Sequence, residues 1–422
     1  MCVAVLMASC EDSSLQTDAS QNATAQDMPQ VVPPAENSQQ GTSDPETPEE
    51  PFKGKIGIIT DVMSYFSTHN HLPIIAKYGK DKIETIDWIG LFGLGGYDRE
   101  GVICNAIEGM GKDPEVIAVI TNPIFLFSID IKAAFAKLRE TRNDLFLVYC
   151  LPESSIDSGG FLESVKNADL VLALDEVGIG PAAVRQAHKL GAEAFVYYPS
   201  LWGAVMGEKS KGYEAYKRDL IEQECAAFGI RFVEVLLPES LREKGSPGIV
   251  DFFYKDVPQV VLEYGKDTAI YSINASPHVS HCAIAAGAIY PHPADLWQSP
   301  FNFYVRGAEP PSYGGGGDIS EVETHAKEAI DRTRDYLAEY DMLGRVSNWP
   351  VPYEYMFTYA ATEYAIKWIN GEVQKEGVDV SALRRIMEGY AGVKVYLAPY
   401  IDRDAGSTYE NILLMRMEYI TY

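Results

Sequence analysis

Five short runs of Val, Ile and Leu recur between residues 56 and 174, each followed by a longer stretch. They are Ile56 to Thr60, Ile83 to Trp88, Val116 to Thr121, Leu145 to Tyr149 and Leu170 to Leu174. Continuous apolar runs of this length suit parallel strands covered on both faces, since an antiparallel strand with one wet face alternates instead. The intervening stretch from Ile129 to Arg139 has helical spacing, with Ile131, Phe135 and Leu138 on a shared face. This grammar predicts an α/β fold built on a doubly wound parallel sheet.

After Asp175 the grammar restarts. A helix is expected over Pro181 to Leu190, with Gly191 as its C-terminal stop. A strand from Ala194 to Tyr198, a helix from Gly212 to Phe228, a strand from Arg231 to Leu236, a helix from Ile249 to Tyr264 and a strand from Thr268 to Ile273 follow. The expectation is therefore two Rossmann-like lobes, residues 53–176 and 177–300, with a hinge between them. Residues 301–422 break the rhythm: a Pro310 to Gly317 loop precedes helical patterns at 319–340, 355–373 and 381–390 and strand patterns at 393–397 and 412–419. These return to complete the lobes.

The first residues read differently. An apolar stretch ends in Leu6-Met7-Ala8-Ser9-Cys10, which resembles a bacterial lipoprotein signal whose cysteine becomes the lipidated N-terminus. Residues 1–10 would then be the signal remnant and Cys10 the lipidation site. Residues 11–52 contain no Lys or Arg and nine acidic residues. They lack the apolar surface needed to offset ordering entropy and are expected to be a disordered tether. A coil of this length spans roughly 35 Å, enough to hold a body clear of a bilayer.

Sixteen of the 25 net negative charges lie beyond that tail. A body this acidic argues against sequence-independent nucleic-acid binding, which needs Lys and Arg to neutralise phosphates. Cys104, Cys150, Cys225 and Cys282 are too far apart for a zinc ribbon or a redox pair. There is no P-loop around Gly93 to Gly96, no Gly-x-Ser-x-Gly elbow and no His-Glu-x-x-His. No metal, no cofactor and no enzymatic activity are expected.

Three stretches resemble the type I periplasmic binding proteins that serve ABC transporters. Lys55 to Asp61 is similar to that family's first strand. Leu172 to Gly191 resembles its first crossover between lobes. Ile270 to Ser276, with the small residues Cys282 to Ala288, resembles its late strand and helix. The resemblance covers residues 53 to 300. It implies a solute-binding protein, extracytoplasmic and lipid-anchored to the membrane, that hands a small polar molecule to an ABC permease. Asn274-Ala275 stands where many sugar receptors of the family have Asn-Asp, so the resemblance carries no sugar specificity here.

In open α/β sheets, ligands meet residues just beyond the C-terminal ends of strands. Applied to this chain, the rule selects Asp61, Ser64, Tyr65, Asn122, Glu153 and Asp175 from the first lobe. From the second it selects Tyr198, Ser200, Trp202, Asn274, Ser276 and His278. Two alternatives stay open. His69 and His71 with His278, His281 and His292 offer imidazoles to a metal-dependent hydrolase. The same fold also serves a sensory lipoprotein.

Overall fold

The chain divides into a short unit, Met1–Glu49, and a unit Glu50–Tyr422 that carries all of the described structure. The computed structural model describes residues 52–60, 71–87, 99–122, 131–150, 161–199, 208–272, 276–293 and 330–422, without 332 and 404. Cys10, the signal remnant and the tether lie outside these residues.

The larger sheet contains β1 (Lys55–Thr60), β2 (Ile83–Asp87), β3 (Val116–Asn122), β4 (Phe146–Cys150) and β5 (Leu170–Leu174). To these the C-terminal part adds the hairpin β11 (Val395–Asp402) and β12 (Ser407–Met417), giving the order β11-β12-β5-β4-β3-β1-β2. Every neighbouring pair is parallel except β11 with β12. The period of two along each strand supplies both faces. Ile56, Ile58, Phe146 and Val148 join one apolar cluster, while Ile59, Leu147 and Tyr149 join another. The first cluster takes in Ile74 of α1 (Leu72–Tyr78), Met356 and Phe357 of α9 (Tyr353–Ile369) and Leu383 of α10 (Val380–Ala391). The second takes in Ile107 and Met110 of α2 (Arg99–Lys112) and Phe135 and Leu138 of α3 (Ile131–Thr141). Helices on both faces make the sheet doubly wound. The short α4 (Phe161–Val165) leads into β5.

The second lobe begins with α5 (Glu176–Lys189). Its sheet is β7 (Arg231–Glu234), β6 (Ala194–Tyr198) and β8 (Thr268–Ser272), all parallel. A bridge between Ala269 and Ile289 continues it into β9 (Tyr290–Pro291), β10 (Val346–Asn348) and β13 (Ile420–Thr421). The helices α5 and α6 (Glu208–Phe228) cover Phe195, Tyr197 and Tyr271. On the opposite face, α7 (Ser240–Tyr264) and α8 (Ser276–Ala285) cover Val196, Tyr198 and Ile270. Gly180 lets the two covering helices touch, because a Cβ there would lie 2.7 Å from Ile221 Cγ1.

Several boundaries differ from the sequence expectation: α5 starts at Glu176 rather than Pro181, β12 at Ser407 rather than Ile412, and α7 departs furthest. A helix start at Ile249, after Pro247 and Gly248, is the local prediction, yet α7 starts at Ser240. Leu241, Ile249 and Phe253 are all buried in the second lobe's core, and this shared packing outweighs the weak propensity of Gly245 to Gly248.

The chain passes between the sheets three times: at Leu174 to Glu176, at Asn348 to Tyr353 and at Met417 to Ile420. The fold is two α/β sheets, each covered by helices, joined by three chain crossings.

Candidate functional site

Of the residues selected at strand ends, Asn122, Asp175 and Tyr198 are described with their side chains, and Ser276 and His278 are placed in the first turn of α8. Asp61, Ser64, Tyr65, Glu153, Ser200, Trp202 and Asn274 lie outside the described residues.

Asn122 closes β3 and is fully buried. Its Nδ2 donates to Glu354 O at 3.0 Å and to Thr358 Oγ1 at 2.7 Å, both on α9. Its Oδ1 is buried and accepts no hydrogen bond. The helix presents Glu354, Thr358 and Thr362 at intervals of four, so they share one face, and all three are fully buried. Thr362 Oγ1 donates back to Thr358 O at 2.8 Å. A polar seam therefore runs between β3 and the helix that returns from the second lobe, with a carboxylate at its upper end. Four-residue spacing of Glu354, Thr358 and Thr362 along one helix is the sequence signal for Glu354 and Thr358, and reading strand ends alone overlooks it.

Asp175 stands at the first crossing. Its Oδ1 accepts from Gly178 N at 2.9 Å, the N-cap interaction of α5, and its Oδ2 accepts from Arg416 Nε at 3.2 Å. Its own N–H donates to Met415 O at 2.9 Å. The Arg416 guanidinium also lies 4.1 Å above the Tyr396 ring. Both carboxylate oxygens are thus engaged by the hinge.

Tyr198 turns into the second lobe's core. Its ring meets Phe253 edge-on at 5.1 Å, and its hydroxyl donates to Asp256 Oδ2 at 2.8 Å. Burial, then the neighbouring Asp256 carboxylate, raises the phenol's pKa above its ordinary value. Tyr197, one residue earlier, faces the other way and donates to Glu214 Oε2 at 3.1 Å. Lys217, on the same helix as Glu214, is 2% exposed, and its Nζ lies 3.9 Å from Glu214 Oε1.

The C-terminal edge of the second sheet carries one more polar group. The buried His292 ring stacks between Tyr271 at 5.3 Å and Tyr290 at 5.5 Å. Its Nδ1 is 2.7 Å from Pro293 O and its Nε2 is 2.5 Å from Ser272 O. Both neighbours are carbonyl oxygens, so the N–H of either neutral tautomer finds an acceptor, at the end of β8 or just beyond β9. His281 instead lies 6.1 Å from the Tyr254 ring, ring to ring. Among the described residues no group of three His, Cys, Asp or Glu side chains is arranged to hold a metal ion.

Of the solved structures compared, the first supports the fold. A putative transcriptional regulator from Clostridium difficile 630 superposes with a TM-score of 0.66 at 18% identity, covering 88% of this chain and 99% of that one. A sugar ABC transporter protein from Actinomyces odontolyticus ATCC 17982 gives 0.41 at 11% identity over 77% and 86%. A carbohydrate transporter protein from Acidothermus cellulolyticus 11B, in complex with myo-inositol, gives 0.40 at 13% identity over 81% and 99%. No curated protein matches the sequence. The family model described as protein of unknown function, DUF3798, matches residues 54–310, more than half of the chain, and the protein belongs to that family.

Proposed function

We propose that this protein is an extracytoplasmic receptor that closes two lobes around a small polar solute and delivers it to an ABC-type permease. The observation that carries the reading is the triple crossing between two parallel α/β sheets. Such a hinge lets a ligand contact both lobes only when they approach, so binding shifts the population towards the closed form. The Leu6 to Cys10 motif and the acidic, Lys- and Arg-free tail support a lipid anchor and a tether, residues 1–10 and 11–52. Among the described residues no helix is long and apolar enough to cross a membrane.

In this reading the lobes are residues 53–176 and 177–300, completed by 301–422. Asp61, Ser64, Tyr65, Glu153, Trp202, Asn274, Ser276 and His278 border the cleft. Asn122, Asp175 and Tyr198 leave the ligand set, because Asn122 is fully buried against α9 and the hinge and the lobe core already engage the polar atoms of the other two. The regulator title of the Clostridium difficile protein does not transfer easily, since a net charge of −25 opposes contact with phosphates.

Isothermal titration against monosaccharides, polyols including myo-inositol, amino acids and nucleosides tests the reading, with small-angle scattering to follow compaction. Saturable binding of one class with a fall in the radius of gyration is expected. Heat-silent titrations across the panel, with no ligand carried through purification, would overturn it.

A further inference from the structure

The β11–β12 hairpin departs from the sheet it belongs to. Along its base the register is regular, from Val395 opposite Met417 to Pro399 opposite Leu413. The next pair is Tyr400 with Tyr409, so Glu410, Asn411 and Ile412 are passed over on β12. An excess of residues on one strand bends a ribbon and re-aims its tip. The bend is anchored on the first lobe. Asn411 Nδ2 donates to Ala168 O at 3.1 Å, Ile412 pairs with Val171 of β5, and Tyr400 is buried in the α2–α3 side of the core.

Beyond the bend the tip reaches the other lobe. The Arg403 guanidinium carbon lies 3.7 Å from the centre of the Tyr216 ring, on α6. This landing point is fixed to the second lobe. Lys217, the next residue, is buried, and Ile221 one turn further meets α5 at Gly180. The hairpin's base in the first lobe and α6 in the second are thus joined by the Arg403–Tyr216 cation–π contact at the hairpin's tip.

We infer that the β11–β12 hairpin is a strap that ties the first lobe to α6 of the second and sets the resting angle between the lobes through the Arg403–Tyr216 contact. The three crossings permit bending, and the strap selects one bend from the permitted range. The inference concerns the protein without ligand and does not depend on what the cleft takes.

Pulsed electron paramagnetic resonance on the full chain provides the test. Spin labels at Glu140→Cys on α3 and Gln259→Cys on α7, with Cys2→Ser, Cys10→Ser and Cys104→Ser and the three buried thiols left in place, report the distance between lobes. Arg403→Ala and Tyr216→Leu should each move population out of the resting distance, changing the ratio of the two populations by roughly two- to five-fold, as expected for an exposed cation–π contact. The double variant should change it no further, and Arg403→Lys should retain part of the effect. Circular dichroism and the melting temperature identify any variant that does not fold, in which case Tyr216→Ala or Arg403→Gln replaces it. Distance distributions that superpose on the parent in both single variants would overturn the strap. So would strictly additive effects in the double variant.

Discussion

Arg416 Nε lies 3.2 Å from Asp175 Oδ2, so the third chain crossing is bonded to the first. The same carboxylate caps α5 through Gly178 N, which makes one side chain responsible for both helix initiation and hinge cohesion. The two roles separate by substitution. Asp175→Asn keeps a capping oxygen and loses the charge, and the pair is partly exposed, so a loss of about 0.5–1 kcal/mol is expected. Asp175→Ala removes the cap as well and should cost about 1–2 kcal/mol. Urea unfolding at neutral pH measures both, and equal losses would show that the cap contributes nothing.

The polar seam under α9 makes Asn122 sensitive to charge as well as to size. Asn122→Ala removes two donated hydrogen bonds from a buried site, a loss of about 1–3 kcal/mol. Asn122→Asp is nearly the same size, yet it turns the donating amide into a carboxylate facing Glu354 O in a fully buried site and should cost more, about 3–5 kcal/mol at neutral pH. Denaturation at neutral and at mildly acidic pH distinguishes them. The Asp variant should regain stability as the carboxyl protonates, and the Ala variant should not.

Three thiols are held as thiols by burial. Cys282 is pushed up to about 11 and Cys225 to about 12, in the latter case with help from Glu224 and Glu222, while Cys150 is raised by burial alone. In iodoacetamide at pH 8 these three should stay unmodified in the folded protein and react after denaturation. The folded state keeps protons that the unfolded chain releases near pH 8.5. These thiols therefore contribute stability below that pH, and it is lost as the pH climbs from about 8.5 towards the folded values. Rapid native-state modification of any of the three, read by mass spectrometry of peptides, would contradict this.

Gly180 is a packing glycine rather than a turn glycine. A Cβ there would meet Ile221 Cγ1 at 2.7 Å and Cδ1 at 2.8 Å in a fully buried contact. Gly180→Ala should cost about 1–3 kcal/mol despite the better helix propensity of alanine. Ile221→Ala opens a space that the new methyl partly fills, so the double variant should be more stable than the sum of the singles predicts. A thermal-unfolding cycle over the four proteins measures the coupling.

Much of this fold follows from local pattern alone. Val116 to Asn122, Phe146 to Cys150 and Leu170 to Leu174 are strands because continuous apolar side chains need cover on both faces, and the helices between them supply it. The period of two along a strand and of 3.6 along a helix is written in neighbouring residues, so the alternation, its restart after Asp175 and the α/β class are readable without coordinates.

Partnership at long range is not written that way. Nothing around Ile412 announces that it pairs with Val171, and nothing at Tyr198 says that its ring faces Phe253 while Tyr197 faces Glu214. At the last residue of a strand the two faces are equivalent until helices are laid on them. Asp175 looks like a ligand group by position, and only the arrival of Arg416 from the far end of the chain engages it in the hinge. Sequence settled the periodicities, whose physics is local. Tertiary structure decided which atoms meet across the hinge, because those meetings depend on side chains up to 241 residues apart.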